Sequence, residues 1–354
     1  MTYAPPRFDT RIPVTVNLYS DTQTRPTAAM RAYMMQAEVG DEQLGADPAI
    51  HLLCDRMAAL LGKEAAMFLP SGTMCNEIAI LTQCRAGDEI LAHPASHIAT
   101  AEGGAPWALA GVAVSPLEGP GGQFGAATLA AAIRPVSRYS PTQRMVLVEQ
   151  TANLGGGTVW PLDALNEVAA LAHAHGMVTH MDGARLMNAS VASGVSAADM
   201  AAGFDTVWLD FTKGLGAPLG AVLAGSSAFI DAAWRWKQRL GGALRQGGIN
   251  AAACLYALDH HVDRLADDHA AARALARGLA QVPGLLVEMP ETNLVYIDTG
   301  QTGLTADLVQ ERARRAGVLV SVMGRFRVRA CTHLDVNPSG VAKAISALRD
   351  AVVA

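Results

Sequence analysis

The sequence predicts an α/β protein: a large domain with a mostly parallel seven-stranded sheet and helices on both faces, plus a smaller C-terminal α/β domain. Three observations predict it. Short apolar runs recur between residues 65 and 224, and each is closed by Gly, Pro, Asp or another turn residue. Helix-length amphipathic segments separate them, the arrangement that parallel strands require. Beyond about residue 250 the texture changes to long Ala- and Leu-rich helical patterns followed by shorter strand candidates.

Taken in order, Asp47-Pro48 reads as an N-cap followed by proline at the first helical position. Ile50, Leu53, Met57, Leu60 and Leu61 then recur at helical spacing. The strand candidates are 65–69, 89–92, 112–115, 145–149, 177–181, 206–211 and 219–224, all apolar enough to be buried on both faces. Helical patterns follow at 251–264 and 267–281, then strand candidates at 294–298, 318–322 and 325–330, and a closing helix after Pro338. The expected division is an N-terminal arm and helix over 1–46, the large domain over 47–250, and the small domain with its connecting helix over 251–354. No internal repeat or low-complexity linker interrupts it.

Composition narrows the function classes. The 354 residues are 51% hydrophobic and 17% charged, against a usual charged share of about 25%. A chain this apolar folds rather than staying disordered. Its net charge of −5 is spread without long blocks of one sign, which argues against nucleic-acid binding driven by counterion release. Five widely spaced cysteines without a C-x-x-C suit reduced thiols. The first residues lack the apolar core of a signal peptide, and no run approaches a membrane span. The expectation is a soluble cytoplasmic protein.

In open parallel sheets ligands bind beyond the carboxyl ends of the strands, so the polar residues that end each apolar run carry the functional information. Pro70-Ser71-Gly72-Thr73 lies between a strand and a helix, where backbone N–H groups and the helix dipole can hold a phosphate; an ordinary N-cap fits it too. Asp182-Gly183-Ala184-Arg185 puts a carboxylate at a strand end, where it either caps the next helix or pairs with a buried cationic nitrogen. Thr212-Lys213-Gly214 puts a lysine between an apolar strand and a glycine-rich loop. Partial desolvation would favour its neutral, nucleophilic amine, whereas a plain surface lysine needs no such setting.

Together the three match the needs of pyridoxal phosphate: a cradle at Ser71, Gly72 and Thr73, Asp182 to keep the pyridine nitrogen protonated, and Lys213 to supply the amine for the cofactor's aldehyde. Rival motifs fit less well. Gly62-Lys63 is followed by Glu64, not Ser or Thr, and Gly214, Gly216 and Gly220 miss the dinucleotide spacing. His173, His175, His260 and His261 lack metal-ligand spacing, and no metal site is expected.

At this point the sequence resembles the threonine aldolases, pyridoxal phosphate enzymes of fold type I in the β-eliminating lyase group. The resemblance runs from about residue 17 to the last helix. It is carried by SDTQTRP (20–26), VGDEQLGADP (39–48), FLPSGTMCN (68–76), SHIATAEGGA (96–105), HMDGARLMNA (180–189), TKGLGAPLGA (212–221), GGALRQGG (241–248) and RACTHLDV (329–336). The resemblance implies that His97 stacks on the pyridine face near the substrate hydroxyl. It further implies that Ser20, Arg185 and Arg329 bind the substrate carboxylate, for which a guanidinium offers a two-pronged donor. Arg245 would reach the cofactor region of a neighbouring subunit, implying a homo-oligomer, usually a homotetramer. The implied reaction cleaves a β-hydroxy-α-amino acid, L at Cα, reversibly to glycine and an aldehyde.

Two departures from the family pattern bear on the substrate. Ala152 stands where the family's E-N-T-H-N segment has histidine, and Leu44 where a tyrosine usually precedes Gly45. Both changes are toward aliphatic character, and an alanine frees volume. The expectation is a wider, more apolar pocket for the β-substituent and a phenylserine-type substrate, with His97 left as the base. Gly241-Gly242-Ala243-Leu244-Arg245-Gln246 also departs from the family's G-G-G-M-R-Q. The alternatives are another pyridoxal reaction at Cα (serine hydroxymethyl transfer, racemisation or transamination) and a non-catalytic small-molecule binder.

Overall fold

The computed structural model describes residues 13–353; residues 1–12, part of the expected N-terminal arm, and residue 354 lie outside the described residues. The chain forms two compact units, one of residues 24–266 and one combining residues 13–23 with 267–353.

The first unit is built on seven strands: β1 (Ala65–Leu69), β2 (Asp88–Ala92), β3 (Ala113–Pro116), β4 (Thr142–Glu149), β5 (Val178–Gly183), β6 (Thr206–Asp210) and β7 (Ala221–Gly225). Their order across the sheet is β1-β7-β6-β5-β4-β2-β3. Pairings β2–β3, β2–β4, β4–β5 and β5–β6 are parallel, whereas β7 runs antiparallel to both β6 and β1. The expected seven-stranded, mostly parallel sheet is therefore present. The reversed β7 was not foreseen, because an apolar run carries no direction.

Successive side chains point to opposite faces of a strand, and both faces are buried. Phe68, Val146, Val148, Val207, Leu209 and Val222 face a core completed by α1 (Ala28–Met34), α2 (Pro48–Leu60), α4 (Leu162–Ala174), α5 (Leu186–Ser193) and α7 (Gly248–His260). Met67, Leu69, Trp208, Ala221 and Leu223 face the other way, onto α3 (Gly72–Gln83) and α6 (Ser227–Arg239). The start of α2 is as expected: Asp47 caps it, Pro48 opens it, and the Asp47 carboxylate accepts from the Ile50 N–H. Its other oxygen accepts from the N–H of Gly248 at the start of α7.

The second unit has an antiparallel sheet in the order Ser321–Val322, Arg327–Cys331, Leu294–Asp298, Leu286–Val287. Val16–Asn17 pairs in parallel with Val318–Leu319. The single strand expected over 318–322 is thus two short ones with different partners. Helices Ala306–Arg315 and Pro338–Val353 close its apolar core. Among the described residues, no helix is long and apolar enough to cross a membrane.

Candidate active site

The parallel registers of β4, β5 and β6 set Glu149 beside Asp182 and Asp182 beside Trp208, a row across three neighbouring strands toward their carboxyl ends. Asp210 ends β6. Its Oδ1 accepts from the Thr212 N–H (2.8 Å) and hydroxyl (2.7 Å), and its Oδ2 from the ammonium of Lys213. The Lys213 nitrogen lies 5.7 Å from the centroid of the Trp208 ring. Lys213 is thus a partly buried, paired amine at a strand end, and not a solvated loop lysine.

On the same sheet, β1 runs into α3. Ser71 caps the helix by accepting from the Met74 N–H. The N–H groups of Gly72 and Thr73, in the first turn, have no acceptor among the described residues. A Cβ on Gly72 would come within 2.2 Å of the Trp208 indole, so only glycine lets the helix start pass this close. The cradle and Lys213 therefore converge on one tryptophan.

Asn76, one turn into α3, ties the row together. Its amide nitrogen donates to Asp182 Oδ2 (2.9 Å) and to Glu102 Oε1 (2.7 Å). Its oxygen accepts from Trp208 Nε1 (2.7 Å) and from His180 Nε2 (3.1 Å). His180 is fully buried and burial pulls its pKa down to about 3, so the ring is neutral. Thr206 Oγ1 at 2.7 Å supplies the proton for His180 Nδ1, which leaves Nε2 as the protonated nitrogen. Asp182 is buried, and burial raises its pKa. It accepts from the Asn76 amide and from the Ala184 N–H. It does not cap α5, whose N-cap is Arg185. An acceptor-only, desolvated carboxyl is the setting that a cationic ligand nitrogen relieves.

His97 begins the single turn His97–Thr100. Its backbone N–H donates to Glu149 Oε2 (2.8 Å), and its Nδ1 lies 2.7 Å from Glu102 Oε1. The imidazole remains 39% exposed while the Glu102 side chain is fully enclosed. Burial alone would lower the His97 pKa; the bond to Glu102 and the charges of Asp182 and Glu149 outweigh it and raise it. Burial, then Asp182, lifts Glu149 to about 7. One ligand atom from each of His97, Glu102 and Asp182 lies within 4.8 Å of the others, but these groups are already engaged with one another and with Asn76.

The other expected site residues fall differently. Arg185 is buried, and its backbone N–H donates to the carbonyl of Gln150. Ala152 is 3% exposed and lines a cavity of about 10 Å³, room for about one water. Gly122 passes beside it: a Cβ on Gly122 would lie 2.8 Å from that of Ala152. Leu44 sits on the single turn Glu42–Leu44 and is 79% exposed. Arg245 pairs with Asp41 of its own chain at 2.9 Å. In the other unit, Arg329 donates from Nε to Ser321 Oγ (3.3 Å) and from Nη2 to the carbonyl of Tyr19, the neighbour of Ser20.

Sequence reasoning gave no role to Asn76, Glu77, Glu102, Glu149, Trp208 or Asp210. Glu149 ends an apolar run, and the strand-end criterion applied to Asp182 would have found it, whereas Asp210 lies inside the run 206–211.

The sequence model of the beta-eliminating lyase family matches residues 17–302. The chain is 37% identical over 345 residues to low-specificity L-threonine aldolase 1 of Arabidopsis thaliana, covering 96% of each chain. It is 35% identical over 329 residues to the low specificity L-threonine aldolase of Escherichia coli K12, covering 93% of this chain and 96% of that one. The solved threonine aldolase of Leishmania major superposes with a TM-score of 0.80 at 21% identity, over 95% of this chain and 99% of that one. The fold is that of fold type I, as the sequence led one to expect. With its strand-end acid and lysine on that fold, the chain belongs to the beta-eliminating lyase family, among the threonine aldolases.

Proposed function

We propose that this protein is a pyridoxal phosphate-dependent aldolase, cleaving an L-β-hydroxy-α-amino acid reversibly to glycine and an aldehyde. The observation that carries the reading is the convergence on Trp208 of three things: unpartnered N–H groups at the start of α3, a buried acceptor-only carboxyl at Asp182, and the paired amine of Lys213. This donor set fits the cofactor. Gly72 and Thr73, with Ser71 shaping the turn, would hold the phosphate, Asp182 the ring nitrogen, and Lys213 the aldehyde carbon. When bound, pyridoxal phosphate supplies an electron sink for the pair left at the substrate's Cα.

The chain's own residues do the rest. Ser20, Arg185 and Arg329 are assigned to the substrate carboxylate, each charged hydrogen bond contributing about 1.5–3 kcal/mol. Fixing the carboxylate orients the Cα–Cβ bond for cleavage. His97, neutral and with Nε2 unprotonated, takes the β-hydroxyl proton. The O–H pair becomes the aldehyde double bond, and the Cα–Cβ pair passes to Cα. Holding the ring close to the hydroxyl supplies general-base catalysis of about 10²–10⁴-fold.

Leu44 and Ala152 make the surroundings of the β-substituent apolar, and on that ground we assign a preference for aromatic aldehydes. Arg245 is assigned to the cofactor region of a neighbouring copy, which makes the working form a homo-oligomer, a homotetramer by family resemblance.

Two measurements test this. Purified protein given pyridoxal phosphate should show a visible absorption band that Lys213→Ala abolishes; an unchanged spectrum overturns the cofactor assignment. Phenylserine should be cleaved with a kcat/KM at least about tenfold above threonine, as burying a phenyl in place of a methyl favours at ~25 cal/mol per Å². A preference for threonine removes the aromatic assignment and leaves the aldolase.

A further inference from the structure

Behind His97 lies a pair of acids that the reaction above does not use. Glu102 Oε1 receives both the Asn76 amide and the His97 ring at 2.7 Å, while Oε2 is buried without a donor. Glu77, on the buried face of α3, has no donor to either oxygen, yet its carboxyl lies within hydrogen-bonding reach of Glu102. Two adjoining buried carboxyls with no other donor for these oxygens satisfy each other only by sharing a proton. Burial and the contact with Glu102 place that proton on Glu77, whose pKa they push up to about 9. Glu102 is then the carboxylate that receives every donor.

We propose that Glu102 is a positioning residue for His97, with Glu77 as its proton-holding partner. The chain Glu77–Glu102–His97 fixes the imidazole as the Nδ1–H tautomer, and so presents a bare Nε2 to the substrate hydroxyl. On taking the hydroxyl proton the ring becomes cationic, with Glu102 as its counter-charge. Asn76 couples this arm to Asp182 through its two N–H bonds. The other charged groups that face His97 are Asp182 and Glu149; the charged group that faces Glu77 is Glu102. The proposal rests on His97 serving as the base in the aldolase reading.

The test uses the full-length holoenzyme and two isosteric variants. In ¹⁵N spectra of the substrate-free enzyme labelled at histidine, His97 should be protonated on Nδ1 and titrate above an ordinary histidine. Glu102→Gln should lower that pKa by about one unit, move the acid limb of kcat/KM down with it, and cut kcat about tenfold with little change in KM. Glu77→Gln keeps a donor to Glu102 at every pH. It should therefore remove an alkaline loss of kcat that the unaltered enzyme shows near pH 9. The same His97 titration in Glu102→Gln overturns the role of Glu102, and the same alkaline limb in Glu77→Gln overturns that of Glu77. If no aldehyde is released from any β-hydroxy amino acid, the aldolase reading fails, and the ¹⁵N measurement still decides the relay.

Discussion

Asn76 uses every hydrogen-bonding position it has: two donors on two carboxylates, two acceptor sites on an indole and an imidazole. Replacing it by alanine leaves the Trp208 Nε1–H and the His180 Nε2–H buried without acceptors, at about 1–3 kcal/mol each. Asn76→Ala should therefore lower the chemical denaturation midpoint by more than an ordinary polar truncation, and weaken cofactor retention through Asp182. Retention and midpoint both unchanged would remove Asn76 from the network. None of this was legible in the sequence, where an asparagine inside a helix looks like surface. Asp182 was legible because it directly follows an apolar run, and Lys213 because it lies one residue beyond another. Ala152 shows the opposite limit: the side chain could be read, but not that Gly122 packs beside it.

Elements fix what single residues cannot. The seven strand runs were readable because each is apolar and punctuated, and the strand-end rule then pointed at the site. Two things escaped, each for a physical reason. Strand direction leaves no trace in an apolar run, so the antiparallel β7 went unseen. Two-residue strands such as Val16–Asn17 are too short to show a period. The start of α2 was readable, but not its second duty: Asp47 also accepts from Gly40 N–H (3.3 Å) and Gly248 N–H (2.9 Å), joining the beginnings of α2 and α7. Asp47→Ala should consequently cost about 2 kcal/mol or more, against about 1 for a simple cap. A loss under 1 kcal/mol would mean that water takes over these donors.

Over the whole molecule, the buried acids make folding stability depend on pH. Glu77 binds its proton in the folded state up to about pH 9, whereas its ordinary carboxyl value is 4.5. Between these values the folded chain holds a proton that the unfolded chain has released. The contribution of Glu77 is thus fully present below about pH 4.5 and is lost as pH rises toward 9, by about 1.4 kcal/mol per pH unit. Glu77→Gln should flatten this slope, raising Tm more at pH 8.5 than at pH 6; parallel pH–Tm curves for the two proteins would contradict it. The division into two compact units lies beyond what composition discloses, since residues 13–23 join the C-terminal part of the chain through pairing that no linker signals.

Trp208, wedged beneath the first turn of α3 and facing the Lys213 amine, is also an emitter. A chromophore absorbing in the near ultraviolet, seated on that amine, would lie within a few ångströms of the indole and drain its excited state by resonance transfer. Occupancy could then be followed by dimming of the protein's intrinsic fluorescence, with no turnover and no added dye.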